Sequence, residues 1–139
     1  MISQVRDYFK SRIIEEMPKA KEHTDAYNVE NIGLLKSKEV FFITYSNDSN
    51  ITTDGDLVTD SITVDVTLMI KGYKDVKTEF DNAMDKAHNI KRRASNISNY
   101  EDGIIYVVGG SISATNPDTN DNIIMVEMSF NVTMNFAVI

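Results

Sequence analysis

The residue types that most often carry chemistry are few in this sequence, and their spacing matches no common site. His23 and His88 are the only histidines, and neither belongs to a His-Glu-x-x-His zinc motif. The segment Gly109-Gly110-Ser111 is not the Gly-x-Ser-x-Gly elbow of a hydrolase, because no glycine follows the serine at the required position. We therefore predict that the chain is not an enzyme and expect no catalytic residues.

Acidic residues are the remaining candidates for a catalytic or metal-binding role. Asp54, Asp56 and Asp60 crowd one segment and could attract Ca²⁺, but the twelve-residue calcium-loop pattern with its terminal glutamate is missing. Glu15 and Glu16 are adjacent, so they need not face each other, and they are typical of a solvated surface. No phosphate-cradling glycine loop or dinucleotide fingerprint occurs. We expect no metal and no cofactor.

Composition excludes further classes of function. The chain has 139 residues, no cysteine and a formal net charge of −7. Cysteine chemistry is therefore excluded, and the acidic balance argues against direct nucleic-acid binding, which needs clustered Lys and Arg. The basic run Lys91-Arg92-Arg93 lies late in a predicted helix, where cations complement the helix dipole. Without an evident linker, signal peptide or membrane span, we expect one domain over residues 1–139 and a cytoplasmic origin.

Two helices are predicted from apolar residues spaced three and four apart. The first begins at Ile2 and stops before Pro18, and residues 19–38 are expected to form a connection with little regular structure. The second follows Asp75, a residue type suited to the N-cap, and runs to Ile97. Its apolar stripe alternates large residues with alanine, which is typical of a helix that packs closely on a sheet.

Strands are predicted between these helices and after them. A run over residues 40–45 ends at a turn-forming segment, 46–50, and an Asp-Gly turn at 53–56 precedes a strand with clean alternation from Ile62 to Ile70. A further strand, 104–108, is closed by Gly109-Gly110, and a turn or loop covers residues 116–121. The order predicts an α+β fold, with a mainly antiparallel sheet of about four to five strands, an N-terminal helix and one long helix on one face.

The last strand carries the most regular pattern. Its even-numbered residues from Ile124 to Phe136 are apolar and face one way, and it pairs most simply as an antiparallel hairpin with residues 104–112. A domain of this length has a diameter of roughly 37 Å, whereas residues 123–136 span on the order of 45 Å when straight. Such a strand either bends or projects, and a projecting hairpin needs a partner subunit to cover its edges.

The whole pattern resembles the tail terminator, or tail completion, proteins of long-tailed bacteriophages. The resemblance lies in the small acidic cysteine-free chain, the opening helix before Pro18, the strand 62–70 with the helix that follows it, and the closing hairpin of 103–108 with 126–132. It covers nearly the whole chain, but it is one of architecture and pattern and includes no diagnostic motif.

The resemblance implies a structural virion protein of the tail-neck region, assembled in the cytoplasm of the host bacterium. Its copies form a hexameric ring that caps the tail tube, ends tube polymerisation and offers a docking surface to the head connector or neck protein. In a contractile tail the implied contacts extend to the sheath protein. DNA is expected only as passing cargo, which an acidic ring would not retain, and no membrane is involved.

Candidate contact surfaces are the loop 47–60, the loop 115–122 and the polar side of the last strand. Ordinary solvated loops and a wet sheet face are the alternative interpretation of each. The candidate interface residues are Asn47, Asp48, Asp54, Asp56, Asn116, Asp118, Asp121, Glu127, Ser129 and Asn131.

Two other functions fit the same sequence. One is another head-to-tail joining ring, a stopper, adaptor or neck protein, which would bind the portal side instead of capping tubes. The other is a small ligand-binding or hydrolytic α+β domain, which predicts a monomer or dimer with a concave polar pocket. The missing catalytic constellation counts against the second.

Overall fold

In the described part of the chain, two α-helices lie on one face of a six-stranded sheet that is antiparallel except for one short pair. The computed structural model describes residues 2–23, 38–48, 52–55, 57–71, 74–101, 103–118 and 123–137. The predicted α+β class is confirmed. In chain order the elements are α1 (Ile2–Glu16), β1 (Lys21–Glu22), β2 (Glu39–Asp48), β3 (Thr52–Asp54), β4 (Leu57–Lys71), α2 (Val76–Ala94), β5 (Ile104–Asp118) and β6 (Ile123–Ala137).

The sheet is built around β4 and β6, which pair at every position from Leu57 with Ala137 to Lys71 with Ile123. The strand order is β1-β2-β4-β6-β5, and β3 also pairs with β4. Because β2 and β3 are both antiparallel to β4 and pair with successive parts of it, β3 continues the line of β2. The predicted hairpin of β5 with β6 is confirmed, including the pairing of Ile112 with Met128.

The Asp-Gly turn lies where it was predicted and joins two strands. Asp54 pairs with Leu57, and Gly55 has a φ of 61°, a left-handed conformation that glycine adopts without steric cost. Strand lengths differ from the prediction at this end. β2 passes through a register shift after Tyr45 and continues to Asp48, and β4 begins at Leu57 instead of Ile62. Cross-strand pairing therefore overrides the polar composition of 46–48 and of Asp60-Ser61.

Alternation along β6 decides which side chains enter the core. The apolar side chains of Ile124, Val126, Met128, Phe130, Val132 and Met134 are all buried, as predicted, while the side chain of Phe136 is not described. The ring of Phe130 packs against that of Phe9 in α1, with 4.9 Å between centroids. Opposite them α2 buries mainly alanine, at positions 83, 87 and 94, and these small side chains allow the helix to lie close to the sheet.

A second, smaller apolar cluster lies on the other face of the sheet, at the end where β4 finishes. Val40, Phe42, Met69 and Ile123 are buried there, and Met125 packs against them. Met125 therefore lies on the face of β6 opposite the main core, where it is partly buried by this cluster. The polar side of β6 therefore begins at Glu127, which is exposed.

Polar contacts tie α1 to the end of α2. The Tyr8 hydroxyl donates a 2.6 Å hydrogen bond to the carbonyl oxygen of Ala94 in the last turn of α2. Glu16 accepts from the side-chain amide of Asn89 at 2.9 Å and from Arg93 at 3.3 Å. Glu15 pairs with Arg12 at 2.7 Å. These adjacent carboxylates are thus structural groups in the helix contact and not merely solvated surface residues.

The long helix starts as predicted and ends earlier. The Asp75 side chain accepts from the backbone N–H of Lys77, which is N-cap geometry. The helix stops at Ala94 because Asn96 caps a new short 3₁₀ turn over residues 97–99 by accepting from Ser98 N. Ile97 is consequently 76% exposed and does not belong to the buried stripe. Among the described residues, no helix is long and apolar enough to cross a membrane.

Replacement of Phe130 tests the core. Phe130 is 1% exposed, so Phe130→Ala is expected to lower the free energy of unfolding by about 3–5 kcal/mol through lost burial and a residual cavity. Chemical denaturation provides the measurement. Glu127→Ala, on the exposed face of the same strand, is the control and should change the value by less than about 0.5 kcal/mol. Similar effects of both substitutions would contradict the assigned faces.

The Tyr8 hydroxyl provides a test at alkaline pH. Burial raises the pKa of Tyr8 from 10.0 to about 12. Because the folded-state pKa is the higher one, this stabilisation is complete below the unfolded-state pKa and is lost as the pH rises from about 10 to about 12. Unfolding free energies measured across that range should fall more steeply in the native chain than in Tyr8→Phe. Parallel pH profiles of the two proteins would show that Tyr8 is not protected by the fold.

Candidate assembly surfaces

The structure separates the predicted interface residues into three places. Asn47 and Asp48 lie in β2, Asp54 ends β3, and Asn116 and Asp118 lie in β5. The segments 47–60 and 115–122 are therefore largely strand where they are described, so their assignment as loops is wrong. Asp56 and Asp121 lie outside the described residues. Cross-strand pairing again explains the difference, because β4 and β6 provide partners along the whole sheet.

The two predicted contact segments reach opposite ends of the sheet. Asp54 pairs with Leu57 at one end of β4, whereas Asp118 pairs with Ile123, which pairs with Lys71 at the other end. At a rise of about 3.3 Å per residue, these ends are roughly 45 Å apart. One subunit thus presents two separate tips, and no single partner surface of ordinary size reaches both.

The residues of the third predicted surface share one face of the sheet. Glu127, Ser129 and Asn131 lie on the face of the sheet opposite the helices, beside Asp65 and Thr63 of β4. The Thr63 hydroxyl donates to the Asn131 side-chain oxygen at 3.2 Å. We call this polar sheet surface the open face. Its described members are Thr44 and Ser46 of β2, Ser61, Thr63, Asp65 and Thr67 of β4, Glu127, Ser129, Asn131, Thr133 and Asn135 of β6, and Tyr106, Val108, Ser111, Ser113 and Thr115 of β5.

The residues of the open face are mainly polar, and none of those named above is Lys, Arg or His. Its charged groups are the carboxylates of Asp65 and Glu127. They line a groove of about 360 Å³ together with Thr67, Ser111, Ser113 and Ser129. In the part of the chain that the structure describes, no cluster of three or more His, Cys, Asp or Glu residues could hold a metal ion. The chemistry available in the groove is hydrogen bonding to a hydrated surface.

Lysine and glycine residues shape the β5 side of this face. The pair Gly109-Gly110 was predicted to end the strand, but β5 continues through a register shift between Gly109 and Ile112. The Lys91 ammonium of α2 donates to the Gly110 carbonyl oxygen at 3.1 Å and fixes this irregular position from the helix side. A Cβ on Gly110 would lie 2.8 Å from Ser129 Oγ. Glycine is therefore required for close approach of β5 to β6 and not for a turn.

The basic run late in α2 has mainly structural partners, which agrees with the sequence interpretation. Lys91 reaches Gly110, and Arg93 lies 3.3 Å from Glu16 and 3.6 Å from Glu15. Arg92 is exposed. Two of the three cations are thus engaged within the chain, so the run is poorly suited to phosphate binding.

One surface was missed by sequence reasoning. Ile105, Tyr106 and Val108 of β5 are 46%, 59% and 40% exposed, and β5 is the last strand of the sheet on its side. The available signal was the absence of any charged residue from Ile104 to Pro117. Edge strands commonly carry charges that prevent pairing with another chain.

Substitution of Gly110 tests the close approach of the two strands. Gly110→Ala is expected to cost about 1–3 kcal/mol of unfolding free energy, because the new methyl group meets the side chain and the carbonyl oxygen of Ser129. Thermal and denaturant unfolding report this change. Ser111→Ala, at an exposed neighbouring position, should be nearly neutral. If Gly110→Ala is equally neutral, β5 does not approach β6 as closely as described.

Function cannot be transferred to this chain from a similar sequence. No protein-family model matches the chain, and no curated protein sequence is recognisably similar to it.

Proposed function

We propose that this chain is a structural subunit of a bacteriophage tail, which assembles into a hexameric ring, caps the tail tube and presents the opposite side of the ring to the head connector. The observation that carries the proposal is the arrangement of one long sheet with a contact tip at each end. A subunit that joins two different structures needs two such separated surfaces, and Leu57 and Lys71 mark their positions along β4.

The open face supports the same proposal. DNA adheres to proteins through clustered Lys and Arg, which release counterions from the phosphates. The open face instead offers hydroxyl and amide groups with the carboxylates of Asp65 and Glu127. With a net charge of −7 per chain, a ring of such subunits repels the backbone of passing DNA. This polarity suits a conduit better than a nucleic-acid binding site.

The groove favours a second candidate function, the binding of a small polar ligand. Its volume of about 360 Å³ lies within the range of small-molecule sites. Its lining argues against this candidate, because ligand sites are predominantly apolar with a few polar groups, whereas Asp65, Ser111, Ser113 and Glu127 dominate here. A ring subunit with a hydrated inner surface accounts for the same lining without a ligand.

Electron microscopy of negatively stained tail tubes tests the proposal. Tube subunits from the same source are polymerised with and without this protein, and we expect shorter tubes that end in six-fold rings only when it is present. Tubes of unchanged length without rings would refute the capping function. Binding to isolated connectors without capping would instead favour a stopper or adaptor ring.

Charge changes at the two tips sharpen this test. Leu57 is 48% exposed at one end of the sheet, and Lys74 is exposed just beyond the other end. Only one tip contacts the tube, so only one of Leu57→Asp and Lys74→Asp should abolish capping, while both proteins keep the native circular dichroism spectrum. Equal effects on capping would show that the two ends of the sheet do not have different partners.

A further inference from the structure

The outer side of strand β5 is occupied near its start by a tyrosine hydroxyl. Val107 pairs with Val132 of β6, and its backbone N–H donates to Tyr100 Oη at 2.9 Å. The same hydroxyl lies 3.4 Å from the carbonyl oxygens of Val107 and Ser95, and it can donate its proton to either. Because the N–H and C=O of one strand residue point to the same side of the strand, Tyr100 stands in front of both groups that Val107 turns away from β6.

Contacts on the helix side of the sheet fix the position of Tyr100. Its ring packs against the main core and lies edge-on to the ring of Tyr8, with 6.4 Å between centroids. Its backbone N–H donates to the carbonyl oxygen of Ile97 at 3.2 Å and so closes the 3₁₀ turn. Asn99 anchors this turn, because its side-chain amide donates to the carbonyl oxygen of Arg93 at 3.0 Å. The hydroxyl is therefore held beside β5 by the fold and not by Val107 alone.

A strand with the composition of β5 is prone to pair with another chain when it lies at an edge. Among the described strands only β6 pairs with it. It has no charged residue from Ile104 to Pro117, although charges are a common means by which natural edge strands avoid such pairing. Tyr106 and Val108, the neighbours of Val107, are exposed. Free backbone groups between exposed apolar side chains would form a template for a further strand.

Irregular pairing shortens the stretch that needs protection. β5 shifts register against β6 on both sides of residues 106–109, and bulges of this kind twist an edge away from continuous pairing. Within the second shift, the carbonyl oxygen of Gly110 accepts from Lys91 Nζ at 3.1 Å. The regular stretch with exposed apolar side chains is thus only four residues long, so a single hydroxyl at Val107 is enough to block it.

We infer that Tyr100 is an edge cap, which keeps β5 of one copy of this chain from pairing with β5 of a second copy. A strand without charges meets no charge when it pairs with itself, and an antiparallel pair centred on Val107 places Tyr106 of one copy opposite Val108 of the other. The two copies use the same edge, so this pairing would end at a two-fold dimer. Such a dimer is unrelated to the proposed ring, in which neighbouring subunits meet through two different surfaces.

Covalent capture tests the cap directly, because the chain has no cysteine. Val108→Cys is introduced alone and together with Tyr100→Phe, which removes the hydroxyl and keeps the aromatic ring. Diagonal positions across an antiparallel pair lie roughly 7–8 Å apart, within reach of a short bismaleimide. With this reagent the Val108→Cys protein should stay monomeric, whereas the double variant should give covalent dimers whose fraction rises with protein concentration.

Tyr8→Phe combined with Val108→Cys is the matched control. It removes another buried hydroxyl, which donates to Ala94 at 2.6 Å, but it leaves Val107 capped. This protein should remain monomeric although its fold is also weakened. Addition of Tyr106→Lys to the double variant with Tyr100→Phe should abolish the dimers, because it supplies the charge that the edge lacks.

Hydrogen exchange of the native chain tests the cap without any variant. The Val107 amide points away from β6, yet it should exchange slowly because Tyr100 accepts its hydrogen bond. In Tyr100→Phe its exchange should become faster, while amides that donate to β6 keep their rates. A native Val107 amide that exchanges as fast as an unprotected one would overturn the inference.

Three results of the capture experiment would overturn it as well. Dimers of the Val108→Cys protein with Tyr100 intact would show that the hydroxyl does not block the edge. Equal dimer fractions from the Tyr8→Phe and Tyr100→Phe proteins would assign the effect to lost stability. An absence of dimers after Tyr100→Phe at every concentration would show that something other than this hydroxyl keeps the copies apart.

Discussion

The unbroken pairing of β4 with β6 is the constraint on which the rest of the structure depends. Fifteen consecutive residues of each strand are in register, and side chains alternate between the two faces along both. A slip of one residue would move Phe130 and Val64 from the core to the open face and expose the helix-binding surface. The positions of both helices, the polarity of the open face and the heights of the two tips all follow from this register.

Local sequence pattern predicted those features that depend on one strand or helix alone. The two-residue period of β6 placed Met128 and Phe130 in the core correctly, and Asp75 marked the start of α2. Strand ends were less predictable, because Gly109-Gly110 and the polar pair Asp60-Ser61 are weak strand formers by themselves. Their partners in β6 and the hydrogen bond from Lys91 to Gly110 hold them in the sheet, and such distant partners are not visible in a local pattern.

The candidate site was predictable to the same extent. Glu127, Ser129 and Asn131 were grouped correctly because they share one face of one strand. The relation of Asp54 to Asp118 could not be predicted, since their separation depends on the strand order across the whole sheet. The same order decides that β5 is an edge. The position of Tyr106 and Val108 on an edge strand can therefore be recognised only from the assembled sheet.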